Sequence, residues 1–192
     1  MNPLLDVIMT RRSIRRFRQQ PVSRDDLIDI VRAGAGAASA GDKQPWEFVL
    51  VDEPAQVAKV TECLRWLGEA PAQGERPTAH IVVLCGSAGG GWTATADAAA
   101  ASQNILLAAW AKGIGSCWIG SVERERLASV LGLPAPSTAF SVIALGYPAE
   151  EPQVVEVEGE PIAQRDASGR LVVQKRRLET VLHIGRYSSR GG

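Results

Sequence analysis

The sequence has few of the residues that enzymes commonly use as nucleophiles or acid–base catalysts. Its two histidines, His80 and His183, stand in no metal-ligand spacing, and its three cysteines are too widely separated for a metal knuckle. It shows no catalytic triad and no carboxylate pair in an apolar setting. We therefore predict no metal site and no catalytic side chain. Either the protein has no enzymatic activity, or a bound cofactor carries its chemistry.

A net charge is also absent, because 21 basic residues balance 21 acidic ones. A chain without a positive excess has little general attraction for polyanions, which argues against nucleic acid as a partner. No apolar run reaches the roughly 18 residues that a membrane span needs, and the N-terminal residues lack a signal-peptide pattern. We expect a cytoplasmic protein with no membrane partner, folded as a single domain over residues 1–192.

Positive charge is nevertheless concentrated between Arg11 and Arg18, where five of eight residues are arginine. A local excess of this kind indicates an anion site, either for a phosphate-bearing cofactor or for a nucleic-acid backbone. If the backbone is extended, Arg11, Ser13, Arg15 and Phe17 share one side. Two guanidinium groups and a hydroxyl on that side would suit a phosphate and the polar chain attached to it.

Caps and apolar periodicity predict strands that alternate with helices. The predicted helices cover residues 2–10, 23–35, 54–67, 93–112 and 122–131, and the predicted strands cover 47–52, 80–85, 116–119, 138–145 and 170–174. About four buried strands between helices indicate three layers, helix on sheet on helix. The glycine-rich residues 86–91 lack the Lys-Ser/Thr of a nucleotide loop and predict a linker. Acidic residues after position 150 predict an extended arm, and residues 178–184 a short amphipathic segment.

Four motifs, in order along the chain, resemble those of the nitroreductase family of FMN-dependent oxidoreductases. Arg11–Phe17 resembles the first phosphate-binding motif, and Ser39–Phe48 resembles the second. Gly113–Gly120 looks like the third motif, and Gly146-Tyr147-Pro148 matches the common Gly-Tyr-Pro. The resemblance extends to the ending, residues 177–187, and so covers nearly the whole chain.

The resemblance implies an α+β fold, a three-layer α/β/α sandwich with a central mixed, mostly antiparallel sheet. It also implies a homodimer with FMN at the subunit interface and a C-terminal arm, about residues 150–192, that reaches the partner subunit. Family chemistry is ping-pong: NADH or NADPH delivers a hydride to flavin N5, and the electrons pass to a nitroaromatic, a quinone or a related small molecule. The alternatives are a family specialist, such as a reductive dehalogenase or a flavin-consuming enzyme, and a flavin- or nucleic-acid-binding module without turnover.

Position by position, the resemblance places the cofactor phosphate against the first motif. Arg11 and Ser13 are expected to hold the phosphate with help from Arg12. Either Lys175 or Arg176 is expected to supply a second cation, and the motif does not decide between them.

The remaining contacts are expected at the flavin ring. Arg15 matches a basic residue near the ribityl chain and the N1/O2 edge, where reduced flavin is anionic. Ser39 and Gln44 are expected to reach the flavin from the partner subunit's loop or to line the pyrimidine end of the ring. Backbone amides and an apolar wall are expected from Trp118, Ile119 and Gly120.

The second motif departs from the family pattern at two positions. Ala38 replaces the usual Pro, and Asp42 replaces the usual Asn, which exchanges an amide donor for a carboxylate that only accepts. If Asp42 faces the ring, it would disfavour anionic reduced flavin and lower the flavin's reduction potential. Alternatively, Asp42 points to solvent or pairs with Lys43.

Overall fold

The computed structural model describes residues 2–66, 68–86, 91–134 and 138–187. The chain forms two compact units, residues 1–149 and 150–192. The helices of the first unit are α1 (Pro3–Thr10), α2 (Arg24–Ala35), α3 (Pro54–Thr61), α4 (Gly91–Ala111) and α5 (Arg124–Leu131). Its strands are β1 (Trp46–Val51), β2 (Ala79–Cys85), β3 (Gly115–Ile119) and β4 (Thr138–Gly146). Of the predicted linker, residues 87–90 lie outside the described residues.

The four strands form one sheet in the order β1-β2-β4-β3, and every pairing in it is antiparallel. Alternate residues of β2 enter two different cores, as the two-residue period of a strand requires. Val82 and Leu84 pack with α3 and α5, whereas Ile81 and Val83 pack with α2 and α4. Helices therefore cover both faces of the sheet, which confirms the predicted α+β class and its three layers.

Local sequence explains where the helices begin. The Asn2 side chain accepts a hydrogen bond from the Leu4 amide at 2.9 Å, and Pro3 occupies the first helical position, as predicted. The Ser23 hydroxyl accepts from the Asp26 amide at 3.1 Å and caps α2 in the same way. Among the described helices, none is both long and apolar enough to cross a membrane.

Helix α3 ends at Thr61, six residues before the predicted end. The reason is tertiary, because the chain beyond the helix pairs with the segment before α5. Leu64 forms an isolated antiparallel bridge with Val122, and the Arg65 amide donates to the Ser121 carbonyl at 2.9 Å. These backbone bonds replace the next turn of helix that periodicity alone predicts.

The second unit contains β5 (Gln153–Val157), β6 (Ala163–Arg165) and β7 (Leu171–Arg176) in the order β5-β7-β6. The β5–β7 pairing is parallel and the β6–β7 pairing is antiparallel. The predicted strand at 170–174 corresponds to β7. Only a 3₁₀ turn, Leu178–Thr180, forms in the predicted amphipathic segment.

His80 is fully buried at the start of β2, and burial lowers its pKa to about 3. Its Nε2 lies 2.9 Å from the Thr61 hydroxyl oxygen. The Thr61 hydroxyl donates to the Val57 carbonyl at 2.8 Å, so its oxygen accepts from the imidazole N–H. The folded protein therefore holds His80 neutral, with the proton on Nε2.

We expect this neutral histidine to make folding stability depend on pH. The folded pKa of about 3 lies below the ordinary value of 6.5, so protonation favours the unfolded chain. The contribution of neutral His80 to the free energy of unfolding is complete above pH 6.5. On acidification below that pH it falls by up to about 1.4 kcal/mol per pH unit. Denaturant titrations at pH 7, 6 and 5 should show a shallower pH dependence for His80→Gln than for wild type. Equal slopes would contradict this assignment.

Candidate functional site

The arginine segment, residues 11–18, lies across the end of the sheet where β3 begins and β4 ends. The Ile14 amide donates to the Ser116 carbonyl at 2.9 Å, and Ser13 and Ser116 form an isolated parallel bridge. Further along, the Arg18 amide donates to the Tyr147 carbonyl at 2.8 Å. Backbone contacts thus join the first predicted motif to the third and to Gly-Tyr-Pro.

Two paired glycines make room for this segment. Gly115 and Gly146 are cross-strand partners in β3 and β4. A Cβ atom on Gly115 would approach the Ile14 side chain to 2.9 Å, and one on Gly146 would approach Phe17 to 3.0 Å. The first distance is shorter than real Cβ contacts and the second is tighter than most of them, so the packing of Ile14 and Phe17 favours glycine at both positions.

The prediction that Phe17 shares a side with Arg11, Ser13 and Arg15 is wrong. Phe17 is fully buried and lies in the same core cluster as Ile14. A strictly extended strand would place these two residues on opposite sides, so the segment is not strictly extended between them.

Arg11 has the electrostatics of an anion-binding group. Its side chain is half-buried, and its Nη1 is buried with no hydrogen-bond partner among the described residues. Burial, followed by the neighbouring Arg12 guanidinium, lowers the pKa of Arg11. Buried donors in native proteins are nearly always paired, so this nitrogen fits an anionic group supplied from outside the chain.

The other arginines of the segment have different surroundings. Arg12 Nη1 donates to the carbonyls of Met9 and Arg11, both at 2.7 Å, which ties it to the C-terminal end of α1. Arg15 and Arg16 are half-buried, and Arg16 lies 3.5 Å from the Glu75 carboxylate. Arg18 is exposed. Among these five cations, Arg11 is therefore the one we assign first to an anion.

The second motif forms a strained loop between α2 and β1. Gly41, Asp42 and Gln44 have positive φ angles of 61°, 56° and 45°. A left-handed Gln is unusual and needs support from its surroundings. That support includes the Ser39 hydroxyl, which accepts from the Gln44 amide at 3.0 Å. The two predicted site residues of this loop, Ser39 and Gln44, thus contact each other.

Asp42 is exposed, and its partner is Gln44. The Gln44 side-chain amide donates to the Asp42 carboxylate at 3.0 Å. Of the alternatives for Asp42, the structure therefore shows an exposed carboxylate paired with Gln44, and pairing with Lys43 is not what forms. The bond also fixes the orientation of the Gln44 carboxamide, since its nitrogen is directed toward Asp42.

Asp97 anchors the same loop and is a residue that motif comparison missed. It is 8% exposed in α4, and its carboxylate accepts from the Ala40 amide at 3.1 Å. Burial, followed by the Asp97 charge, raises the pKa of the Cys85 thiol, so Cys85 stays a neutral thiol. A single acid inside an otherwise apolar helical stretch was the sequence signal that could have identified this contact.

The third motif contains strand β3 and Gly120, the residue that follows it. Trp118 is half-buried and packs edge-to-face on Phe140, with ring centroids 5.7 Å apart. The Ile119 side chain is buried in the core on the α3 and α5 face of the sheet. Only its backbone therefore remains for a ligand. Gly120 is exposed, and its carbonyl accepts from the Arg124 guanidinium at 3.2 Å.

Lys175 and Arg176 are the exposed last residues of β7, in the second unit. Glu156 and Val157 are their register partners in β5. The Arg176 guanidinium donates to the Thr180 carbonyl at 3.1 Å. The role of either residue at a phosphate stays a prediction.

Residues 8–147 match the sequence profile of the Nitroreductase family, which is most of the chain. The chain belongs to the nitroreductase family. A putative NADH dehydrogenase/NAD(P)H nitroreductase from Archaeoglobus fulgidus is 36% identical over 165 residues, covering 82% of this chain and 92% of that protein. An FMN reductase (NADPH) from Bacillus subtilis is 25% identical and covers 78% of this chain and 67% of its own length.

Solved nitroreductase-like structures share the fold. A putative NADH dehydrogenase/NAD(P)H nitroreductase from Bacteroides thetaiotaomicron superposes with a TM-score of 0.73 at 27% identity, covering 97% of this chain and 99% of that one. Superposition over almost the whole of both chains supports a nitroreductase fold and not merely a shared motif.

Proposed function

We propose that this nitroreductase-family chain is an FMN-dependent oxidoreductase that uses NADH or NADPH to reduce a small-molecule acceptor, such as a nitroaromatic or a quinone, by a ping-pong mechanism. The observation that carries the proposal is the buried Nη1 of Arg11, which has no hydrogen-bond partner among the described residues. A phosphate would supply the acceptor that this nitrogen lacks. The relatives' names, nitroreductase and FMN reductase, support the same class of chemistry.

Bound flavin would supply the chemistry, because it accepts a hydride from the nicotinamide and returns electrons to the acceptor. The chain would bind and orient it. Arg11 and Ser13 would hold the phosphate, with Arg12 and one of Lys175 and Arg176 adding positive charge.

The remaining site residues would act on the ring. Arg15 would place a cation near the ring edge that carries negative charge after reduction. The Gln44 carboxamide, oriented by Asp42, would offer polar atoms to the pyrimidine end. A backbone and apolar wall would come from Trp118, Ile119 and Gly120.

The proposal includes a homodimer, because two apolar surfaces are exposed. In α1, Leu4 and Met9 are each 65% exposed, and no residue of that helix is buried. In the second unit, Leu178 and Ile184 are 61% and 88% exposed. Contiguous exposed apolar side chains are typical of protein interfaces. In such a homodimer, Ser39 and Gln44 would reach the flavin from the partner subunit's loop or line the pyrimidine end of the ring.

The purified protein is expected to be yellow, or to become so on addition of FMN, with one FMN per chain. Under anaerobic conditions, NADH or NADPH should then bleach the flavin absorbance, and a quinone or nitroaromatic should restore it. In the same preparation, sedimentation should report a dimer of the 20.5 kDa chain. A colourless protein that takes up no FMN would contradict the proposal. FMN uptake without bleaching by either nicotinamide would indicate a flavin carrier.

A further inference from the structure

A cavity of about 330 Å³ lies between α3 and the loop that precedes β2. Its polar lining comes from Gln19, Asp52, Thr61, Gln73, Arg76 and Thr78. None of the residues assigned above to the flavin lines it. The volume falls at the lower end of small-molecule pockets, which span roughly 300–1,000 Å³.

Hydrogen bonds to backbone carbonyls hold the walls of the cavity in place. On the loop side, the Phe17 amide donates to the Glu75 carbonyl at 2.9 Å, and the Thr78 amide donates to the Leu145 carbonyl at 2.9 Å. The Gln19 side chain donates to the Arg76 carbonyl at 2.9 Å. The opposite wall belongs to a regular helix, α3. A ligand would therefore meet a preformed site.

Arg76, a cation in the cavity lining, lacks a counter-charge among the residues that the structure describes. Asp52 is neutralised by Arg24, whose Nε and Nη2 donate to its two carboxylate oxygens at 2.6 and 2.7 Å. The half-buried Arg76 has no carboxylate within ion-pair distance in the part of the chain that the structure describes. The lining therefore has an unbalanced positive charge at Arg76.

A hydroxyl of the same cavity lining also lacks a partner among the described residues. Thr78 Oγ1 is buried without a hydrogen bond to any described residue. Thr61, on the facing wall, differs because its hydroxyl donates to Val57 and accepts from His80. Apolar side chains, including Val57 and Pro77, form the rest of the wall.

We infer that this cavity binds a small organic carboxylate, with its oxyanion at Arg76 and Thr78 and its apolar body against α3. A guanidinium and a hydroxyl can both donate hydrogen bonds to a carboxylate. The apolar wall favours a ligand that carries a hydrocarbon group over an inorganic anion. The inference does not rest on the proposed flavin chemistry. It holds for the chain with or without FMN.

Benzoate is the probe, with inorganic phosphate and benzamide as comparison ligands. Amide chemical shifts of Ala58 and Thr78 report binding here, and the visible spectrum of added FMN reports binding at the flavin. Saturable benzoate shifts are expected at Ala58 and Thr78, with weaker binding of phosphate and benzamide. Arg76→Gln should weaken benzoate by about ten- to a hundredfold, as for loss of a charge-assisted hydrogen bond.

Three further variants sharpen the test. Thr78→Val should weaken benzoate about threefold to tenfold, while Thr78→Ser, which keeps the hydroxyl, should bind nearly as wild type. Arg170→Gln removes an exposed arginine of the second unit and should change nothing. The inference would be overturned by unsaturable shifts, by equal benzoate affinity in Arg76→Gln and wild type, or by benzoate effects confined to the flavin spectrum.

Discussion

Arg11→Gln is expected to weaken FMN binding by about 1.5–3 kcal/mol, or roughly ten- to 150-fold, the scale of a hydrogen bond to a charged group. The variant removes the cation whose buried Nη1 lacks a partner among the described residues. Without FMN the same variant should be as stable as wild type or more stable, because a half-buried cation with no ion pair among the described residues is unfavourable. Calorimetric titration with FMN and thermal unfolding of the FMN-free protein measure the two effects.

Arg18→Gln is the matched control for that experiment. Arg18 belongs to the same segment but is exposed. Its loss should therefore change FMN affinity far less than the loss of Arg11. Equal losses in both variants would mean that the segment acts only through its general positive charge, which would contradict the specific role of Arg11.

Gly115→Ala is expected to destabilise the fold by about 1–3 kcal/mol, the usual cost of an added methyl group in a packed site. The new Cβ would lie 2.9 Å from Ile14, so the arginine segment would have to move. FMN binding should weaken as well, because Ser13 directly precedes Ile14 and Arg11 lies three residues before it. Denaturant unfolding and FMN titration measure the two consequences.

A double-mutant cycle separates this contact from a general effect of alanine. Ile14→Ala creates a cavity, and adding Gly115→Ala should fill part of it, so the pair should cost less than the sum of the single changes. Gly74→Ala serves as control, since nothing lies within 4 Å of a Cβ at that position. Additive losses of folding stability would show that Gly115 does not make room for the Ile14 side chain.

Much of this architecture could be predicted from local sequence. Asn2-Pro3 and Ser23 fix two helix starts through their caps, and the apolar run from His80 to Cys85 identifies a strand buried on both faces. The concentration of arginine at 11–18 indicated an anion site because charge density needs no tertiary context. These features depend on residues close in sequence. The structure reproduces the two helix starts and the strand, whereas the anion site stays a prediction.

The predictions that were wrong, and the contact that was missed, depend on residues distant in sequence. Helix α3 ends at Thr61 because Leu64 pairs with Val122, a partner that periodicity cannot reveal. Phe17 turns into the core because Gly146 leaves room for it. The bond from Ala40 to Asp97 joins positions 57 residues apart. Side-chain alternation alone could not have predicted any of these.

The most direct test of the account compares FMN with riboflavin, which lacks the phosphate, on wild type and Arg11→Gln. Wild type should bind FMN more tightly than riboflavin, and the variant should lose about ten- to 150-fold of that preference while its riboflavin affinity stays nearly constant. This result would place the Arg11 interaction at the phosphate. Equal weakening of both ligands, or no preference in wild type, would contradict the assignment of the arginine segment as a phosphate site.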